Sequence, residues 1–275
     1  MAAFSSSDAA IEGFRVIGAR WRVLVGWSLF NLIALVALLV VLVVAVAAVS
    51  ALAASDETAQ TAGGAIGGVI VGLGELLVQV MLVSGLFRME LRPEAPGFLH
   101  LRIGRDEMRV LGALLLVIVA AIPLALVLAA AVAAGARVSP ALALLVALVG
   151  ATIFYGVLLR FGLVSPIAFA EARLSLVESW RRTRGQFWAL VGMALLLLCF
   201  WAIVAVIAWF ALFLVGGLAT GFRDLGLSGT EALEAHPGRY LFQLAAQVLL
   251  APFWLVIGVA PWIAVYRALA PAPRD

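Results

Sequence analysis

The sequence predicts an all-α fold, a polytopic integral membrane bundle of six transmembrane helices with short cytoplasmic interfacial helices. Three observations carry this. Hydrophobic residues make up 65% of the 275 positions and charged residues 12%, with mean hydropathy +1.18. A soluble domain uses roughly half apolar and a quarter charged residues. Runs without charge recur along the chain, each long enough to cross about 30 Å of hydrocarbon as a helix. They are continuous, whereas a β-barrel needs short alternating segments.

The spans fall at about 22–49, 63–87, 109–135, 140–164, 187–217 and 240–267 of one membrane domain, 1–275. The first run begins at Trp21 and is far longer than the apolar core of a signal peptide. The small-residue stretch "AVSALAASD", ending at Asp56, is therefore expected to stay uncleaved.

Arginine sets the threading, for all 18 basic residues are arginine and the formal charge is +3. Arg15, Arg20 and Arg22 precede span one, and Arg88, Arg92, Arg102, Arg105 and Arg109 separate spans two and three. Arg160, Arg173, Arg181, Arg182 and Arg184 lie between spans four and five, and Arg267 and Arg274 follow span six. The opposite side holds only Arg137, Arg223 and Arg239, a split of 15 to 3. The positive-inside rule then puts both termini in the cytoplasm. It also explains why "RRTR" (181–184) abuts the long uncharged run of span five. Guanidinium heads resist translocation and pair with anionic lipids. The gap at 218–239, with Asp224, Glu231, Glu234 and His236, is the only sizeable outer segment and is too short for a domain.

The approaches to spans one and five align. "AAIEGFRVIGARWRVLVG" (9–26) lies over "SLVESWRRTRGQFWALVG" (175–192), matching Glu12 with Glu178, Arg15 with Arg181 and Leu24-Val25-Gly26 with Leu190-Val191-Gly192. "GRDEMRVLGALLL" before span three is a weaker copy. This reads as three parallel helix-pair repeats. Interfacial helices are predicted at 8–20 and 168–185. In the first, Asp8 serves as N-cap and Ala10, Phe14, Ile17 and Trp21 share one face. In the second, Leu176, Val177, Trp180 and Phe187 take the apolar role, and Gly185 permits the bend into span five.

Within "RFGLVSPIAFAEARLSLVESWRRTRGQFWALVG" (160–192), Arg160 ends a span, Pro166 follows, and Ser175 and Ser179 precede the basic cluster and Gly185, Phe187 and Trp188. This stretch resembles the membrane region ahead of the catalytic domain in some bacterial glycerophosphodiester phosphodiesterases. It is also similar to related stand-alone multispan membrane proteins of unknown function. The resemblance implies a bacterial cytoplasmic (inner) membrane location. It implies no hydrolase activity, because the catalytic barrel would take roughly 250 further residues.

Catalysis finds no support in the residues. His100 and His236 are expected on opposite sides of the membrane, and HExxH, paired Cys/His ligands and a Gly-rich phosphate loop are absent from the sequence. No enzyme, metal or cofactor is expected, nor nucleic acid. Cys199 is expected as a buried thiol.

Two candidate sites remain. Glu75 sits mid-span, where a charge is expensive, and Gly64, Gly68, Gly72 and Gln79 share its stripe. It reads either as a cation or proton site or as a neutral carboxyl bonded to a neighbouring helix through Asn31 or Gln247. Gln243 and Gln247 share a face of span six, which Pro252 and Pro261 interrupt, as Pro123 does span three. Arg15, Arg22, Arg181, Arg182 and Arg184 are the expected contacts to anionic headgroups, since arginine forks onto phosphate oxygens. A GC-biased genome would also favour arginine. The expected partners are membrane lipids and a membrane protein. The expected role is non-enzymatic, organising or sensing lipid or envelope partners, with a small carrier using Glu75 as the alternative.

Overall fold

The computed structural model describes residues 4–52, 56–94, 98–220 and 236–270. Arg223, Asp224, Glu231, Glu234 and Arg274, named above, lie outside the described residues, as do Ala53, Ala54 and Ser55 of the cleavage-like stretch. The helices are α1 (Ser6–Leu52), α2 (Asp56–Leu91), α3 (Arg105–Val138), α4 (Pro140–Phe161), α5 (Val164–Glu171), α6 (Leu176–Arg182), α7 (Phe187–Thr220) and α8 (Pro237–Leu269). No strand occurs among the described residues. Six helical runs are long and apolar enough to cross a membrane: α1, α2, α3, α4 running on into α5, α7 and α8. The chain is an all-α integral membrane protein.

It divides into two compact units. One holds residues 83–198 with the chain's two ends, and the other holds 14–82 and 199–258. The division runs through α1, α2, α7 and α8, so long helices, not linkers, join the units.

In the first unit α3 and α4 form a hairpin. Ser139 ends α3 and caps α4, accepting from the Leu142 N–H at 3.1 Å, with Pro140 in the first turn where its missing N–H costs nothing. A Cβ on Gly135 would stand 3.3 Å from the Ala143 backbone, so glycine sets how closely the two helices approach. α5 packs on α3 through Ala113, Val164 and Ala168, flanked by Leu116, Val117 and Phe161. Its Ile167 and Phe169 are fully buried as well.

Residues 168–185, expected as one interfacial helix, are therefore two short helices. Ala172, at φ 56°, stops α5, and Ser175 starts α6 by accepting from the Glu178 N–H at 3.1 Å. α5 buries Val164, Pro166, Ile167, Ala168 and Phe169 in protein, leaving Ser165 part-exposed. In α6 the polar Ser179 and Thr183 turn inward, Ser179 donating to the Arg160 carbonyl at 2.6 Å, while Val177 and Trp180 turn outward. Gly185, at φ 83°, makes the bend into α7.

The predicted helix at 8–20 is the opening of α1. Ser5, not Asp8, is its cap, accepting from the Asp8 N–H at 3.3 Å. The packed positions there are Ala9, Ala10, Gly13 and Val16, small residues that permit close approach, whereas Trp21 is exposed. Arg20 departs from helical geometry (φ −125°, ψ 23°), which bends α1 before the span. The aligned position in the second copy is Gln186, which lies in the break between α6 and α7. The alignment also pairs buried positions: Gly13 with Ser179, Leu24 with Leu190, and Trp27 with Met193. The two approaches thus share the site of the break and these three buried positions.

Candidate intramembrane polar site and arginine face

The second unit brings the predicted polar residues together. Antiparallel α1 and α2 meet along a seam in which Val46 and Leu42 of α1 approach Gly63 and Gly67. Two turns further along α2, Leu38 lies where a Cβ of Gly74 would be. The packing glycines are thus Gly63, Gly67 and Gly74. Gly64, Gly68 and Gly72, the stripe expected to pack, have open space beside them. Each step of one residue turns a helix by about 100°, so Glu75 stands beside the seam rather than in it.

There Glu75 and Gln79 of α2, Asn31 of α1 and Gln247 of α8 line one cavity of about 340 Å³. Leu35, Leu38, Val78 and Leu244 supply much of its apolar wall. Glu75 and Gln247 are exposed to the surroundings of the protein. Among the described residues neither they nor Gln79 have a side-chain partner.

Asn31 is not Glu75's partner. Its amide donates to the Val248 carbonyl at 2.8 Å, and Ser28 donates to the neighbouring Leu249 carbonyl at 2.6 Å. The cause is Pro252, which supplies no N–H to the carbonyl four residues before it, that of Val248. In hydrocarbon an unsatisfied carbonyl is costly, and a neighbouring helix's side chain restores the bond. Hydropathy reveals the proline but not which residue answers it. Cys199, expected buried, is exposed.

Arginines in the first unit divide into two groups. Arg88 pairs with Glu107 and donates to the His100 carbonyl, with side chains 4% and 6% exposed in the pair. Arg92 joins Asp106 at 3.1 Å and the Phe169 carbonyl at the end of α5 at 3.0 Å. Arg267 pairs with Glu90 and Glu12. Arg182, predicted as a lipid contact, is instead a structural clamp. It forks onto Glu171 at 2.7 and 3.0 Å and reaches Glu178 at 2.7 Å, with its side chain only 9% exposed. Tyr266 donates to the same Glu171 at 3.1 Å. Sequence spacing shows Glu178 four residues before Arg182 but not Glu171, which the turn at Ala172 brings round.

The second group faces outward. Arg181 is 74% exposed and pairs with Glu178 at 2.5 Å, and Arg184 is exposed between outward Trp180 and Trp188. In the second unit Arg15 is exposed, and Arg22 lies over the Trp21 ring at 5.5 Å. Among the described residues no group of three or more His, Cys, Asp or Glu side chains is placed to hold a metal ion.

Compared with known proteins, the chain matches no family model, no curated protein and no solved structure. Fold and sites define a class, an integral membrane protein with six apolar helical runs and a polar cavity beside the second.

Proposed function

We propose that the chain is a non-enzymatic protein of the bacterial inner membrane, with both termini cytoplasmic, that engages anionic lipid headgroups and organises or senses lipid or envelope partners. The pairing of outward arginine with outward tryptophan carries this reading: Trp21 with Arg22, and Trp180 and Trp188 with Arg181 and Arg184. Tryptophan favours the headgroup level, and arginine beside it meets phosphate bidentately. The buried arginines are held by internal carboxylates, and the exposed arginines of each unit supply the contacts to headgroups. The 15-to-3 split of arginine supports the threading, and the resemblance of residues 160–192 supports the location.

The test is lipid retention. Protein purified in mild detergent should retain phosphatidylglycerol or cardiolipin, and the Arg181→Gln/Arg184→Gln variant should lose most of it. Equal retention by the variant sinks the reading. Reporter fusions after Pro93 and Arg173 should read cytoplasmic and a fusion after Gly135 periplasmic.

The cavity at Glu75 favours a second reading, a small transporter or channel-like carrier. Proton-dependent flux in reconstituted vesicles would favour it, and partner capture without flux would favour the first.

A further inference from the structure

We infer that the cavity beside α2 is a binding site for an amphipathic amine, a molecule joining an ammonium group to an apolar body. The inference stands apart from the arginine face, and it holds whether or not the ligand is carried across.

Among the described residues that line the cavity, Glu75 is the only ionisable one. With no arginine, lysine or histidine among the described lining residues, an anionic ligand would meet the carboxyl with no cation to offset it. An ammonium group instead donates to that carboxyl and balances its charge, and charge-assisted bonds of this kind are the strong ones. Gln79, Gln247 and Asn31 add amide groups around it, and Asn31 is held in place by its bond to Val248.

The apolar wall of Leu35, Leu38, Val78 and Leu244 fits a hydrocarbon body. Entry is from the bilayer, because Glu75 is exposed on an apolar span and Gly72, three residues before it on the same face, is exposed as well. A carboxyl left alone in such surroundings is expensive, and a bound amine removes that cost. Size sets the class. The cavity measures about 340 Å³. That is room for an amine headgroup and several methylenes, not for a helix of a partner protein.

The experiment uses the full chain in dodecyl maltoside micelles, which carry no amine. A diazirine-bearing alkylamine should label α2 near Val71–Gln79 and α8 near Leu244–Val248. Dodecylamine should compete at least about tenfold better than dodecanol or dodecanoate, a difference near 1.4 kcal/mol. Competition by an ethanolamine phospholipid would identify a lipid as the source of the amine, and competition by dodecylamine alone would identify a free amphiphile. Either outcome supports the site. Glu75→Gln should keep labelling but lose the preference for the amine, and Ala34→Phe should block labelling by filling the cavity. The competition order in the unaltered protein decides the matter even if a variant fails to fold. Equal competition by all three probes, or labelling elsewhere, overturns the inference.

Discussion

The side chain of Asn31 closes the hydrogen bond that Pro252 opens, donating at 2.8 Å to the Val248 carbonyl. This gives a double-mutant test. Asn31→Ala should cost about 1–2 kcal/mol, the price of an unmet carbonyl in a membrane interior. In a Pro252→Ala background the new N–H can take that carbonyl, so the same change should cost much less. Unfolding in mixed micelles measures both. Equal costs in the two backgrounds would show that Asn31 does not serve the proline.

Arg88, near the end of α2, and Glu107, in the first turn of α3, form a pair hidden on both sides. Removing one partner strands a buried charge. Glu107→Gln should therefore destabilise by about 3–5 kcal/mol, and replacing both residues by apolar ones should cost less than that single change. Thermal unfolding of the three variants in one detergent gives the comparison. A mild Glu107→Gln alongside a severe double change would contradict it.

The spans were legible because an uncharged run of that length leaves little choice of structure. Faces were not. α7 and α2 are apolar nearly all round, so hydropathy does not say whether Gly67 or Gly68 meets α1, or which way Cys199 points. Arg182 failed for a related reason: its neighbours in sequence are exposed arginines, while the Glu171 that captures it lies across a turn. Asn31, Glu75, Gln79 and Gln247 were readable as a set, since each is a polar residue in an apolar span. The bond from Asn31 to Val248 was not, for it depends on the helix register that Pro252 imposes.

Glycine positions give a matched pair of variants. The Trp262 ring lies where a Cβ of Gly162 would stand, and a ring cannot swing aside as a leucine end can. Gly162→Ala should cost about 1–3 kcal/mol through overpacking. Gly68 has open space beside it, so Gly68→Ala should be neutral or slightly stabilising by helix propensity. Melting temperatures of the two purified variants test this, and a reversed order would refute the packing described.

Acid should loosen α6 through Glu178. The hydrogen bond from Arg182 is the largest influence on this carboxyl and holds it below the usual carboxylate range, against burial, which raises it; Arg181 adds to the lowering. Arg182 remains charged throughout, since its bonds to Glu171 and Glu178 outweigh the opposing effect of burial. The sign follows from linkage. Glu178's folded value lies below its unfolded one, so the clamp's contribution is complete above the ordinary carboxylate range, near pH 4–4.5. It is lost as pH falls through the lowered folded value. Amide exchange of residues 176–182, corrected for intrinsic rates, should thus be flat from about pH 7 to 5 and rise below about pH 4. Glu178→Gln should raise exchange at neutral pH and flatten the acid response. If variant and parent lose protection at the same pH and by the same amount, Glu178 does not secure α6.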